Sequence, residues 1–243
     1  MRVVDLNCDL GEGTGRESEI MPLITSANIA CGAHAGDLPT MRSTMKLALE
    51  HSVGAGAHPG YNDPTHFGRR ELELSAAALH ELMIRQLSAL RDLGPVRHVK
   101  PHGALYNQAA RDRAIANVLA GAVVAVDPSL ILFALAGSEL AAAGRTHGLV
   151  VAEEVFGDRT YQTDGSLTPR SDANALIQDT AVACDQVLHM ILHGAVRSVA
   201  GTEMKISADT LCLHGDGQNA VGFAKALRAA LSEAGVQVRT FRR

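Results

Sequence analysis

Short apolar runs ending in His, Asp or Gly alternate along this chain with longer stretches of helical spacing. Residues 3–7, 27–31, 53–57, 97–100, 130–135, 149–153 and 210–214 read as strands buried on both faces, because their apolar positions are nearly continuous instead of alternating. Between them, Met41, Met45, Ala48 and Leu49 share one helical face, entered near Asp37 and Pro39. Leu79, Leu82, Met83, Leu87 and Leu90 form the stripe of a second helix that starts at Ser75 and stops at Gly94-Pro95. Further helices are expected over residues 111–122, 174–193 and 218–234, the last closed by Gly235. Buried strands that alternate with helices imply βα units, which fit either a closed barrel or an open doubly wound sheet.

Two long connections, residues 60–74 and 156–172, break this rhythm with Gly, Pro, Asp, Thr and Arg. They suit an active-site rim, although a solvated loop has the same composition. Residues 198–207 are expected to form a small hairpin, and residues 236–241 to run along the barrel exterior. No internal repeat or linker divides the 243 residues, so a single domain over 1–243 is expected.

Composition narrows the function classes. The chain is 47% hydrophobic and 20% charged, which excludes disorder. Its formal net charge of -4, without basic blocks, gives no nucleic-acid footprint and no membrane-binding helix. Cys8, Cys31, Cys184 and Cys212 are too scattered for a zinc knuckle or a redox dithiol and read as buried free thiols, consistent with a cytoplasmic protein. Residues 1–10 carry Asp5 and Asp9 where a signal peptide needs an apolar centre.

The chemistry sits at strand ends. Asp5, Asn7 and Asp9 recur with period two and so share one side of the first strand, facing a polar space. His34 and Asp37 follow the second strand, His58 the third, Lys100 and His102 the fourth, Glu153 and Glu154 the sixth, and His214 and Asp216 the seventh. In a βα barrel these ends converge on one mouth. Histidine with carboxylate can activate water, protonate a leaving nitrogen or hold a divalent metal, but the spacing singles out no ligand set. Gly11, Gly13 and Gly15 lack the spacing of a phosphate-binding loop, Ser138 reads as a helix cap, and no base is paired with Cys8 or Cys31.

Seven ordered segments carry a resemblance. They are Asp5-Leu-Asn-Cys-Asp-Leu-Gly-Glu12, Ser26-Ala-Asn-Ile-Ala-Cys-Gly-Ala-His-Ala-Gly-Asp37, Gly56-Ala-His-Pro-Gly-Tyr61, Phe67-Gly-Arg-Arg70, His98-Val-Lys-Pro-His-Gly-Ala-Leu-Tyr-Asn107, Ala136-Gly-Ser-Glu139 and Ala208-Asp-Thr-Leu-Cys-Leu-His-Gly-Asp216. Over essentially its full length the chain resembles the 5-oxoprolinase A-subunit family, also called the LamB/YcsF or lactam-utilisation family. The resemblance implies an α/β fold, a seven-stranded (β/α) barrel variant similar to the glycoside hydrolase/deacetylase superfamily. It also implies an ATP-dependent 5-oxoprolinase that works with separate B and C subunits on a lactam, 5-oxo-L-proline, with the principal ATP site on a partner.

On that reading Asp9, His58 or His214 activates water, while His34 and His102 protonate nitrogen or orient oxygen. Lys100 and Arg70 face phosphate or the substrate carboxylate, the alternatives being a buried salt bridge for Lys100 and a solvated rim for Arg70. Asn7 and Asn28 position an amide or water. Glu12, Glu153 and Asp158 organise bases or a metal shell, and Asp216 joins the substrate-binding set. Cys8 stands where the family has alanine, Ala33 where it has phenylalanine, and residues 202–206 depart from a tryptophan-valine-proline pattern. Two rival readings are a stand-alone metal-dependent amidase or deacetylase, and a non-catalytic subunit that delivers substrate or scaffolds its partners.

Overall fold

The structure, a computed structural model, describes residues 2–213 and 220–242. The first half runs β1 (Val3–Leu10), α1 (Glu17–Ile20), β2 (Ser26–Ala30), α2 (Leu38–Glu50), β3 (Gly54–His58), α3 (Ala76–Arg91), β4 (His98–Val99), α4 (Gly103–Arg111) and α5 (Arg113–Val126). The second runs β5 (Ile131–Leu135), α6 (Glu139–Thr146), β6 (Val150–Phe156), α7 (Thr180–His193), β7 (Ala195–Arg197), β8 (Glu203–Lys205), β9 (Thr210–Leu213), α8 (Ala220–Glu233) and β10 (Gln237–Val238). Strands β1 to β6 pair in order, all parallel; β9 then pairs with both β6 and β1 and closes a seven-stranded barrel.

Local chemistry sets the helix boundaries. Asp37 accepts from Thr40 N at 2.9 Å and Pro39 lies in the first turn of α2, while Ser75 and Ser138 accept from Ala78 N and Ala141 N to start α3 and α6. Gly194, at φ 65°, ends α7 in the left-handed conformation that glycine adopts without a Cβ clash.

Several boundaries differ from the sequence reading, and some of them change the site. Strand β1 continues to Leu10 and β6 to Phe156, so Asp9 and Glu154 lie within strands. Strand β4 holds only His98 and Val99, because Pro101 lacks an N–H for the ladder. The helix expected over 111–122 is α5, which starts at Arg113 because the Asp112 carboxylate accepts from Ala114 N and Ile115 N to cap it, and a further helix, α4, precedes it over Gly103–Arg111. Helix α7 begins at Thr180 rather than at 174. The small hairpin is β7 against β8, and β10 lies parallel to β1 with Val3 and Val4 opposite Gln237 and Val238. All four cysteines are free and buried.

Period-two alternation on β1 partitions the interior. Leu6, Cys8 and Leu10 join the apolar core, while Asp5 and Asn7 bond to Ser26 and Thr210 on the flanking strands and Asp9 to Lys100 beyond β4. The barrel centre is therefore a stack of polar side chains.

Candidate active site

The lowest layer is closed. Asp5 accepts from Thr25 Oγ1, Ser26 Oγ and Thr210 Oγ1 at 2.6–2.8 Å. Burial pushes its carboxyl up despite these donors, and the layer forms a floor beneath the chemistry.

Above it Lys100 organises the middle layer. Its Nζ lies 2.9 Å from Asp9 Oδ1, 3.0 Å from Glu154 Oε1, 2.9 Å from Cys212 Sγ and 3.3 Å from Asn7 Oδ1. Burial disfavours the ammonium, but Asp9 first, with the Cys212 sulfur and Glu154, outweighs it and holds Lys100 well above its usual value. It is thus a fixed positive charge. Asn7 Nδ2 and Tyr106 Oη donate to Glu154, and Asn28 Nδ2 donates to both Asn7 and Asp9. His98 Nε2 donates to Asn28 Oδ1 at 2.7 Å, with its ring stacked on Phe133. Burial, then the Lys100 charge, push this imidazole down to about 3, so it is a neutral positioning group.

At the mouth four side chains meet. Glu12 Oε1 lies 3.3 Å from His34 Nε2, 3.7 Å from His58 Nε2 and 3.4 Å from His102 Nδ1, and Asp9 Oδ2 is 3.4 Å from His58 Nε2. His34 and His102 stack in parallel with ring centroids 3.7 Å apart. The loop after β3 can lie against this pair only through glycine: a Cβ on Gly60 would sit 2.8 Å from His34 Nδ1, and one on Gly68 2.8 Å from His34 Cβ. Burial and the neighbouring His58 push His34 down to about 3 and His102 well below its usual value. His58 moves the other way, since Asp9 and Glu12 overcome its burial. This buried His/His/His/Glu cluster could chelate a metal ion.

A cavity of about 860 Å³ opens above these layers, reached by Asp9, Glu12, His58, Lys100, His102 and Arg159. Among the residues expected from the sequence, Asp9, His34, His58, His102, Lys100, Asn7 and Asn28 come together at or beneath it. Three do not line it. Arg70 pairs with Asp63 at 3.3 Å on the rim, its neighbour Arg69 lining the cavity instead. Glu153 pairs with Arg145 at 3.0 Å and faces a separate depression beside Ser207. Asp158 is half-buried in the connection after β6. Asp37 caps α2, and His214 and Asp216 fall outside the described residues.

His98, Tyr106 and Arg159 are the groups that the sequence reading passed over, while Glu154 was set at the mouth beside Glu153 but given no role. Parity could not single out Glu154, because Val151 and Val155 flank Glu153 as Ala152 and Phe156 flank Glu154. Arg159 is 4% exposed, donates to Thr168 O at 2.6 Å and Ala175 O at 3.3 Å, and has no carboxylate pair among the described residues. Burial, then Arg170, press its guanidinium down to about 10. It is a buried cation answered by carbonyl dipoles beside an open cavity.

Comparison with known proteins identifies the family. The 5-oxoprolinase A-subunit of Geobacillus thermodenitrificans is 52% identical over 252 residues, covering 100% of this chain and 98% of that protein. Its counterpart from Tolumonas auensis is 49% identical over 249 residues, covering 98% and 99%. The crystal structure of a lactam utilization protein from Thermus thermophilus superposes with a TM-score of 0.92 at 43% identity, covering 99% and 100%. A family 4 carbohydrate esterase from Streptomyces lividans, with TM-score 0.50 at 11% identity over 98% and 91% of the two chains, shares the barrel fold alone. The LamB/YcsF family model matches residues 4–243, and the chain belongs to that family.

Proposed function

We propose that this chain is the A component of an ATP-dependent 5-oxoprolinase, opening 5-oxo-L-proline to L-glutamate together with separate B and C components. The observation that carries the reading is the end-to-end 52% identity to the Geobacillus 5-oxoprolinase A-subunit. The cavity supplies groups suited to the chemistry.

A five-membered lactam is an unstrained, resonance-stabilised amide that water attacks slowly. Transfer of the ATP γ-phosphoryl group to its oxygen weakens that resonance and makes the ring carbon electrophilic. Water then adds to this carbon, the ring C–N bond breaks as nitrogen gains a proton, and a second water hydrolyses the resulting acyl phosphate to carboxylate and phosphate.

Asp9 is the group placed to take the proton from water and return it to nitrogen. Its Oδ1 is held by Asn28 and Lys100, leaving Oδ2 on the His58 side of the cavity. Lys100 keeps its proton and supplies fixed charge, and Arg159 receives the substrate carboxylate or phosphate. The chain has no Gly-x-x-x-x-Gly-Lys-Ser/Thr segment, and we assign the nucleotide to a partner. No helix among the described residues is long and apolar enough to cross a membrane, and dependence on ATP suits a cytoplasmic setting.

The test is glutamate and phosphate formation from 5-oxo-L-proline with this chain alone, with B and C, and with each component omitted. Turnover that needs all three and ATP is expected. Turnover by B and C without this chain would overturn the assignment.

A further inference from the structure

Two rings of the mouth cluster are oriented by backbone carbonyls. His58 Nδ1 lies 2.7 Å from Lys100 O and His102 Nε2 lies 2.9 Å from Phe67 O. Carbonyl oxygens only accept, so both outward nitrogens carry hydrogen. The inward nitrogens, His58 Nε2 and His102 Nδ1, then face each other at 3.0 Å, with the Glu12 carboxylate oxygen 3.4–3.7 Å from both. His34 Nε2 adds another nitrogen 3.3 Å from the same oxygen. Three imidazole nitrogens and one carboxylate oxygen thus converge on one point, in the donor set that a metal ion takes.

We propose that this point binds one divalent cation of the zinc class, held by Glu12 Oε1, His34 Nε2, His58 Nε2 and His102 Nδ1. One ligand atom from each of the four residues lies within 4.8 Å of the others. Ligands about 2.0–2.1 Å from a tetrahedral ion are separated by about 3.3 Å along each edge. Four of the six separations among these atoms, 3.0, 3.3, 3.4 and 3.7 Å, scatter about that edge, and the remaining two are at most 4.8 Å. Three imidazoles and one carboxylate select zinc, cobalt or nickel over magnesium and calcium, which take oxygen shells. The outward bonds to Lys100 O and Phe67 O orient two rings and fix their tautomers, as partners behind metal-bound histidines do.

The topology supports one site rather than chance proximity. Glu12 follows β1, His34 follows β2, His58 ends β3 and His102 precedes α4 just beyond β4, so the cation ties together four consecutive strand ends. Among the described residues no other group of three or more His, Cys, Asp or Glu side chains converges in this way. Cation binding at this point does not depend on which amide is cut. A cation here places a fixed positive charge beside Asp9, on the wall of the cavity.

The test uses the full chain, stripped with a chelator and titrated with zinc ion by calorimetry, with bound metal counted by mass spectrometry. One equivalent is expected, with at least about 100-fold weaker binding in Glu12→Gln and His102→Gln. Binding is expected to be unchanged in His189→Gln, which alters the surface His189–Glu203 pair. Cobalt substitution gives a readout free of variants: tetrahedral visible bands and a nitrogen-and-oxygen shell by X-ray absorption support the site. Absence of stoichiometric zinc, sulfur in the shell, or binding lost in His189→Gln and retained in Glu12→Gln would overturn it.

Discussion

Replacing Lys100 with methionine keeps an unbranched side chain of similar length and removes only the ammonium. Nζ lies about 3 Å from both Asp9 and Glu154, and Glu154 is fully buried. At an effective dielectric of about 20 each contact is worth roughly 5 kcal/mol of gross attraction, most of it offset by desolvation. What persists after the substitution is a pair of carboxylates without their cation, which costs about 3–5 kcal/mol. Adding Glu154→Gln removes one stranded charge. The double variant should therefore be at least about 1 kcal/mol more stable than the sum of the single effects. Urea unfolding followed by circular dichroism reads both quantities, provided the m-value is unchanged. A single-variant loss below about 1 kcal/mol, or strict additivity in the cycle, would refute the picture of Lys100 as the charge that holds the barrel centre together.

Three further outcomes follow from the same layers. His98 stays neutral in the folded barrel down to about 3, whereas the unfolded ring takes a proton near its ordinary 6.5. The unfolded state thus binds more protons below 6.5, and this contribution is fully present above that value and lost on acidification by about 1.4 kcal/mol per pH unit; His98→Gln should flatten the acid limb of stability against pH, and an unchanged slope would count against it. A Cβ on Gly56 would overlap the His98 imidazole, so Gly56→Ala should cost about 1–3 kcal/mol, relieved in part by adding His98→Ala; purely additive melting shifts would show the ring is not what it meets. Arg159→Lys should raise KM for 5-oxo-L-proline about tenfold in the reconstituted enzyme with little loss of fold, because a point charge replaces a planar fork; an unchanged KM would remove Arg159 from anion binding.

Much of the fold was legible because all seven barrel strands are buried, mostly apolar runs, and the period-two face of Asp5, Asn7 and Asp9 marked the polar interior. Helix α4 was not, since it starts at Gly103 with φ 55° and no side-chain cap, features that read locally as a turn. Glu153 and Glu154 are adjacent, and only the extent and register of β6, which sets Glu154 opposite Leu135 and Thr210, shows which one points inward. The same limit exchanged Arg69 for Arg70 in a loop that has no periodicity to orient them. The histidines could be placed at strand ends from sequence. Their shared focus depends on carbonyls of Lys100 and Phe67, which no side-chain pattern reveals.

The most direct test of the account is Asp9→Asn in the complex reconstituted with B and C. The substitution keeps the side chain's shape and an oxygen for Asn28 and Lys100 while removing the proton acceptor. Glutamate formation should fall by roughly 10²–10⁴-fold with folding and assembly intact. Turnover within a few-fold of the parent enzyme would contradict the claim that this carboxylate opens the ring.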